Sequence, residues 1–464
     1  MEKLNAPGVA WDSWRATRGG KPAIAARQAA RFEALIQHAR GASRFYADLY
    51  RALPAGSVGL QHLTRLPPVH KPALMARFDD WVTDPSVTRE GVEAFVSDLD
   101  NVGEDLLDRY VVFTTSGSTA EPALLVQDRR SIAVMMGLAY GRSAGVLPLR
   151  MLPRILARGA RQAAVFARGG HFLTATMFAR QLRTQPYRRH YARYFSILDP
   201  LPTLVAQLND FQPVLVSTYA SALSVLADEQ EAGRLHISPL VISSGGELLL
   251  PSVRRRAERV FGAVVVETYN ASEATPLSLP CRFGRMHVNA DWFIVEPIDC
   301  VGNPVPPGQR SDTVLVTNLA NYVQPVIRYE LGDSVVVGEE PCPCGSPLPT
   351  ISSQGRTDEM LRVPRLGGGG DVVLLPLALS TVVEETSGVL RYQIVQTAPS
   401  VLTIRLDVDR GSARTEVWRR VHTRMVDFLR TQSAAADLVV ELSDDPPAVN
   451  PRSGKLRHVL SALP

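Results

Sequence analysis

Between Pro202 and Asn270 three short runs rich in Val, Ile and Leu (PVLVSTY, LVISSGG and AVVVETYN) alternate with helical stretches of roughly ten residues. Strands this apolar, each separated by an amphipathic helix, pair in parallel and are buried on both faces, so the pattern predicts βαβ units in an α/β domain. In such sheets ligands lie beyond the carboxyl ends of the strands. The polar residues at those ends are Ser217 to Tyr219, Ser243 to Glu247 and Tyr269 to Glu273.

A second constraint is the stretch YVVFTTSGSTAEPALLV, Tyr110 to Val126. Tyr110 to Phe113 read as a strand that feeds a loop of hydroxyls, with Pro122 at its far end. Thr114, Thr115, Ser116, Ser118 and Thr119 supply hydroxyls, and Gly117 lets backbone N–H groups converge on an anion. An ordinary Ser/Thr/Gly turn is the competing reading. No Lys-Ser or Lys-Thr follows the glycine at the spacing of a P-loop, which excludes that NTPase mechanism.

Around these stretches, the segment from Lys21 to Leu49 carries apolar residues at three-and-four spacing, one amphipathic helix or two. A helix opens after His70. Residues 130–182 read as largely helical with a break at Gly169 and Gly170. Beyond Asp291 short alternating strands with Pro/Gly turns (WFIVEPID, DTVLVTNL, DSVVVGEE) predict an antiparallel β-subdomain. After Gln354 a helix, two strands, a further helix and a last strand describe a small α+β domain. With 464 residues the chain divides into two domains, 1–357 and 358–464.

Composition removes several functions. The chain is 45% hydrophobic and 21% charged with a formal charge of +4, which fits neither disorder nor a polyanion-binding protein. Arginine is spread through helices, with no aromatic-interleaved basic block, so nucleic acid is not expected as a partner. No apolar run is long enough for a membrane span and the N-terminus lacks the plan of a signal peptide, so the expected location is cytoplasmic. The four cysteines, Cys281, Cys300, Cys342 and Cys344, are too few for a disulfide framework.

Seven motifs, in order and spanning nearly the whole chain, resemble the adenylate-forming (ANL) superfamily, in its phenylacetate-CoA ligase and coenzyme F390 synthetase-like branch. RFEALIQHARGASRFYADLY resembles the branch's N-terminal helix, FTTSGSTAEP its phosphate loop and SSGGE its adenine loop. YNASEAT resembles the motif that usually ends in Thr-Glu, VIRYELGD the ribose motif, QGRTDEML the hinge and NPRSGKLR the C-terminal lysine motif. The resemblance implies ATP-dependent adenylation of a carboxylic acid, aryl or arylacetic by default, with pyrophosphate release and then transfer to CoA.

Residue by residue, it implies that Thr114, Thr115, Ser116, Gly117, Ser118 and Thr119 hold the β- and γ-phosphates, and that Glu273 holds Mg²⁺. Tyr269 and Asn270, with Ser244, Gly245, Gly246 and Glu247, would border adenine; Asp333 and Arg356 would hold the ribose. Lys455 would bridge the carboxylate and the α-phosphate, a task that suits a point charge on a flexible stem. Asp358 would be the hinge between two half-reactions. Met135, Met136, Tyr140 and His171, with the strand ends near Tyr219 and Gly245, are candidates for the acid pocket. Cys281 and His287 at C-x5-H spacing, with Cys342 and Cys344, suit a closed tetrahedral Zn²⁺ that braces two nucleotide-binding segments; Cys300 is expected to be a buried thiol.

The chain departs from the CoA ligases after the hinge. LRVPRLGGGGDVVLLP has four consecutive glycines, read as a flexible loop, and Leu375-Pro376 where Phe-Pro is usual. The acyl acceptor is therefore open among CoA, a carrier-protein phosphopantetheine and an amine. Nitrite activation in secondary metabolism and a nucleotide-binding module without turnover are further alternatives. A monomer or homodimer is expected.

Overall fold

The computed structural model describes residues 4–53, 56, 58–115, 122–143, 151–246, 249, 251–353, 361–374, 376–409, 411–448 and 458–463. Its N-terminal layer is helical. Ala6–Arg18 starts at Asn5, whose side chain accepts from the Gly8 amide at 2.8 Å, a standard N-cap. The segment expected to form one helix or two forms two, Gly20–Ala42 and Arg44–Leu49. Ser43 sits between them in extended backbone and caps the second by accepting from the Tyr46 amide at 3.3 Å.

Two antiparallel strands follow, β1 (Val111–Thr114) and β2 (Leu124–Gln127). Five parallel strands make the central sheet: β3 (Gln162–Phe166), β4 (Ala192–Ser196), β5 (Leu215–Thr218), β6 (Val241–Gly245) and β7 (Val264–Thr268). Their order is β4-β3-β5-β6-β7. The three strands expected from sequence are β5, β6 and β7; β3 and β4 add two inside or next to a stretch read as helix. The reason is compositional. Ala163 and Ala164 of β3 are good helix formers, but both are buried in the sheet, and tertiary packing overrides the propensity.

The hairpin β1-β2 does not join this sheet. It is fastened to it instead, because the Thr114 amide donates to the His171 carbonyl at 2.8 Å, just past β3, in a parallel bridge to Phe172.

The β-subdomain comprises β8 (Ser278–Pro280), β9 (Met286–Val288), β10 (Phe293–Ile298), β11 (Thr313–Asn318), β12 (Val326–Glu330), β13 (Val335–Val337) and β14 (Thr350–Ser353). They form an antiparallel three-stranded sheet, β10-β11-β12, and a four-stranded one, β13-β14-β9-β8. Then β15 (Leu361–Pro364) and β16 (Asp371–Leu374) form a hairpin. Gly367 to Gly370 occupy its turn, each with positive φ between 78° and 122°. Those angles explain four glycines in a row, and the segment read as a flexible loop is a hairpin turn.

The remaining strands β17 (Val389–Ala398), β18 (Val401–Val408), β19 (Val439–Leu442) and β20 (Val459–Ser461) pair in the order β19-β18-β17-β20, with helices Pro376–Glu384 and Arg414–Thr431 against them. The expected domain boundary at 357/358 lies outside the described residues. Apolar residues from both sides of it share one core, with Ile197, Leu204 and Leu226 in the same cluster as Leu374, Ala378 and Phe428. Among the described residues no helix is long and apolar enough to cross a membrane.

Candidate functional site

The carboxyl ends of β5, β6 and β7 gather the polar residues that the sequence separates by about 25 positions each. Gly246 follows β6 with φ at +84°, and a Cβ there would lie 3.0 Å from the Tyr219 ring. Only glycine lets the backbone run this close under an aromatic face. Next to it a Cβ on Gly245 would meet Thr268 Oγ1 at 2.6 Å, so β6 and β7 are held edge to edge where they end. Ser244 is fully buried, and its Oγ has no hydrogen-bond partner among the described residues.

Tyr269 leaves β7 buried, and its hydroxyl donates to Asp333 Oδ2 at 3.1 Å. Two residues 64 apart in sequence are thereby set as a flat ring beside a carboxylate. The Tyr269 backbone is fixed by Ser278, whose Oγ accepts from its amide at 3.3 Å and donates to its carbonyl at 2.9 Å. Asn270 turns its side chain to the loop, accepting from the Leu277 amide at 2.9 Å. Glu273 is buried.

Sequence reasoning missed what holds Glu273. Its carbonyl accepts from Asn318 Nδ2 at 2.8 Å, and two further amides close by grip the strand that follows the hydroxyl loop. Asn321 Nδ2 donates to the Val126 carbonyl at 2.8 Å, while Gln324 accepts from the Val126 amide at 2.8 Å and donates to the Leu124 carbonyl at 3.0 Å. All three side chains are buried, and a buried amide is stable only with such partners. The amide-rich stretch NLANYVQP, directly before VIRYELGD, was the available signal. It ties the Glu273 loop to β2.

At the entry to the hydroxyl loop, Thr115 closes the base: its Oγ1 accepts from the Ala123 amide at 3.0 Å and its own amide donates to the Ala123 carbonyl at 3.2 Å. Thr114 is anchored through His171 as described above. Ser116, Gly117, Ser118, Thr119, Glu247, Arg356, Asp358 and Lys455 lie outside the described residues. Of the acid-pocket candidates, Met135 is packed in the N-terminal core and Tyr140 is exposed. Met136 is half-buried. His171 is buried with Nε2 3.2 Å from the Asp98 carbonyl, and burial holds its pKa below the usual imidazole value. It therefore supports the start of the loop as a neutral ring.

A separate cluster sits below β8 and β9. The ligand atoms of Cys281, His287, Cys342 and Cys344 all lie within 4.8 Å of one another. Tetrahedral Zn²⁺, with bonds of about 2.3 Å to sulfur and about 2.0 Å to nitrogen, sets S···S near about 3.8 Å and S···N near about 3.5 Å. The cluster has Cys281 Sγ 3.8 Å from Cys342 Sγ and Cys344 Sγ 3.3 Å from His287 Nε2. His287 Nδ1 donates to the Leu348 carbonyl at 2.9 Å, which fixes the tautomer and leaves Nε2 as a lone-pair donor. Burial lowers the His287 pKa, favouring that neutral ring. Burial and the neighbouring thiols push Cys344 up to about 11. The donor set fits the ion. Cys300, expected as a buried thiol, is exposed in the turn after β10, where its amide donates to Asp312 Oδ2 at 2.7 Å.

No family model matches the chain. It is 25% identical over 138 residues to Protein CapK of Staphylococcus aureus, a match covering 29% of each, so the chain spans less than a third of that curated relative. The fold is similar to crystal structures of 2-hydroxyisobutyryl-CoA ligase. In complex with 2-HIB-AMP and CoA in the thioesterification state, the TM-score is 0.56 at 22% identity, covering 95% of this chain and 89% of that one. In the postadenylation state with R3-HIB-AMP it is 0.54 at 21% identity, with the same coverage. The chain thus shares the fold of that ligase, a mixed α/β architecture with a helix-flanked parallel sheet, which is the fold class the seven motifs led one to expect.

Proposed function

We propose that the chain is an AMP-forming acid ligase, in which a carboxylate oxygen attacks the α-phosphorus of ATP, the bond to pyrophosphate breaks, and the acyl group then passes from AMP to CoA. The observation that carries the reading is the Tyr269–Asp333 contact beside the glycine-floored end of β6. A flat ring and a carboxylate able to accept two hydroxyls, set against a narrow backbone turn, suit a nucleoside.

In this reading Tyr269 faces adenine, with Asn270, Ser244, Gly245, Gly246 and Glu247 at its edge. Asp333 and Arg356 hold the ribose. Thr114, Thr115, Ser116, Gly117, Ser118 and Thr119 present hydroxyls and N–H groups to the β- and γ-phosphates; catalysis at phosphorus is mostly positioning and charge stabilisation. Glu273 would hold Mg²⁺, which when bound offsets charge on the leaving pyrophosphate. Lys455 brings a positive charge between the two anionic reactants. Residues 1–357 then form the adenylating domain and 358–464 a mobile one, with Asp358 as hinge. Cys281, His287, Cys342 and Cys344 hold a structural Zn²⁺. An aryl or arylacetic acid is the proposed substrate, in a cytoplasmic enzyme of the phenylacetate-CoA ligase-like kind.

The test is pyrophosphate release across a panel of carboxylic acids, with and without CoA. Acid-dependent release with thioester formation is expected. Release without thioester would keep the adenylation and move the acceptor to an amine or carrier protein; no release with any acid would leave a nucleotide-binding module.

A further inference from the structure

Between Asp128 and Asp199 the chain holds thirteen arginines and no Asp, Glu or Lys. Against an overall formal charge of +4, these thirteen charges leave a net −9 on everything else. The fold collects a group of them at the amino edge of the parallel sheet, the end opposite the candidate nucleotide site. Arg161 enters β3 and donates from Nε to the Gln212 carbonyl at 2.9 Å. Arg158 donates to the Ser238 carbonyl at 2.7 Å, and Arg188 to Gln162 Oε1 at 3.1 Å. Arg154 lies one helical turn before Arg158, and Arg189 next to Arg188; both are exposed.

Elsewhere in the segment arginines are paired: Arg180 with Asp105, Arg183 with Glu104, and Arg193 with Asp210. Among the described residues none of Arg154, Arg158, Arg161, Arg188 and Arg189 has a carboxylate partner. Large apolar side chains are exposed in the same two elements, Leu156 at 69% and Leu152 at 44% in the helix before β3, and Tyr187 at 60% before β4.

We propose that this edge is a docking surface for an acidic protein. The guanidinium groups of Arg158 and Arg161 are tied to the separate carbonyls of Ser238 and Gln212, and that of Arg188 to the Gln162 side chain, so they form a spread face and not a pocket for one small anion. Arginine and tyrosine around exposed leucines, with lysine absent, is the composition of protein interfaces. Guanidinium forks match carboxylates bidentately. A nucleic acid fits worse, because a long polyanion needs a basic track extending past the patch, and outside these five arginines the chain carries a formal charge of only −1. The proposal does not depend on the enzymatic reading above, since the catalytic edge lies at the other end of the strands.

The test uses the full chain and fluorescein-labelled poly-L-glutamate as the carboxylate probe, followed by anisotropy, with a 20-base-pair DNA duplex in parallel. Poly-glutamate is expected to bind at low salt and to be released as salt rises. R188E/R189E and, separately, R154E/R158E should each weaken it about tenfold or more. The variant R15E/R18E, with the same change of charge on the helix Ala6–Arg18, should not. Thermal melting confirms that each variant is folded. The proposal is overturned by absence of poly-glutamate binding, by equal loss in R15E/R18E, or by DNA binding more tightly than the peptide.

Discussion

Removing one hydroxyl tests the nucleoside site most directly. Tyr269→Phe keeps the ring proposed to face adenine and deletes the 3.1 Å bond to Asp333 Oδ2. A hydrogen bond to a charged group contributes about 1.5–3 kcal/mol. Asp333 is half-buried, so water replaces part of what is lost and the lower end, about 1.5 kcal/mol, applies. That corresponds to about tenfold in a binding constant. In the proposed reading the contact orients Asp333 toward the ribose throughout the reaction and touches no reacting atom. The loss should therefore appear as a KM for ATP raised about tenfold with kcat little changed. Asp333→Asn, which removes the charge itself, should raise it further. Steady-state pyrophosphate release at varied ATP measures both. A Tyr269→Phe enzyme within twofold of the parent in KM, or one that loses kcat at unchanged KM, refutes the assignment of this pair to the nucleoside.

Lys455→Ala should lower adenylation by about 100-fold or more, the scale of a lost transition-state charge contact, while ATP binding followed by calorimetry stays near the parent value; loss of both in parallel would assign the lysine to binding. Protein purified without chelator should contain about one equivalent of Zn²⁺, and Cys342→Ser should lose it with a fall in melting temperature. Zinc content below about half an equivalent in the parent protein rejects the site. Asn318→Ala leaves the buried Glu273 carbonyl and the Ala320 amide without their side-chain partner, at about 1–3 kcal/mol per group. It should raise the Mg²⁺ concentration needed for half-maximal pyrophosphate release more than it raises KM for the acid. Equal effects on both would make Asn318 a general support of the fold.

What the sequence disclosed and what it hid divide along a physical line. Candidate residues held in local stretches were legible: the hydroxyls after β1, the glycines after β6, and the aromatic and carboxylate after β7 stand out because each short stretch departs from the apolar residues of the strand before it. The cluster of Cys281, His287, Cys342 and Cys344 was legible in the same way, although two sequence segments had to be brought together. Long-range support was not. Asn318 and Gln324 are unremarkable as letters, and their partners, the carbonyl of Glu273 and the backbone of Val126, lie 45 and 198 residues away. The strand β3 was hidden because a short, alanine-containing strand buried between layers has no local signature that separates it from helix. The arginine face was hidden for the opposite reason, since charges spread over seventy residues look scattered until a parallel sheet lines up the starts of its strands. A parallel topology sends every carboxyl end to one edge and every amino end to the other. Here that separation puts the proposed nucleotide site and the arginines that have no carboxylate partner among the described residues on opposite rims of a single sheet, so that a protein held at one rim as proposed would not obstruct the other.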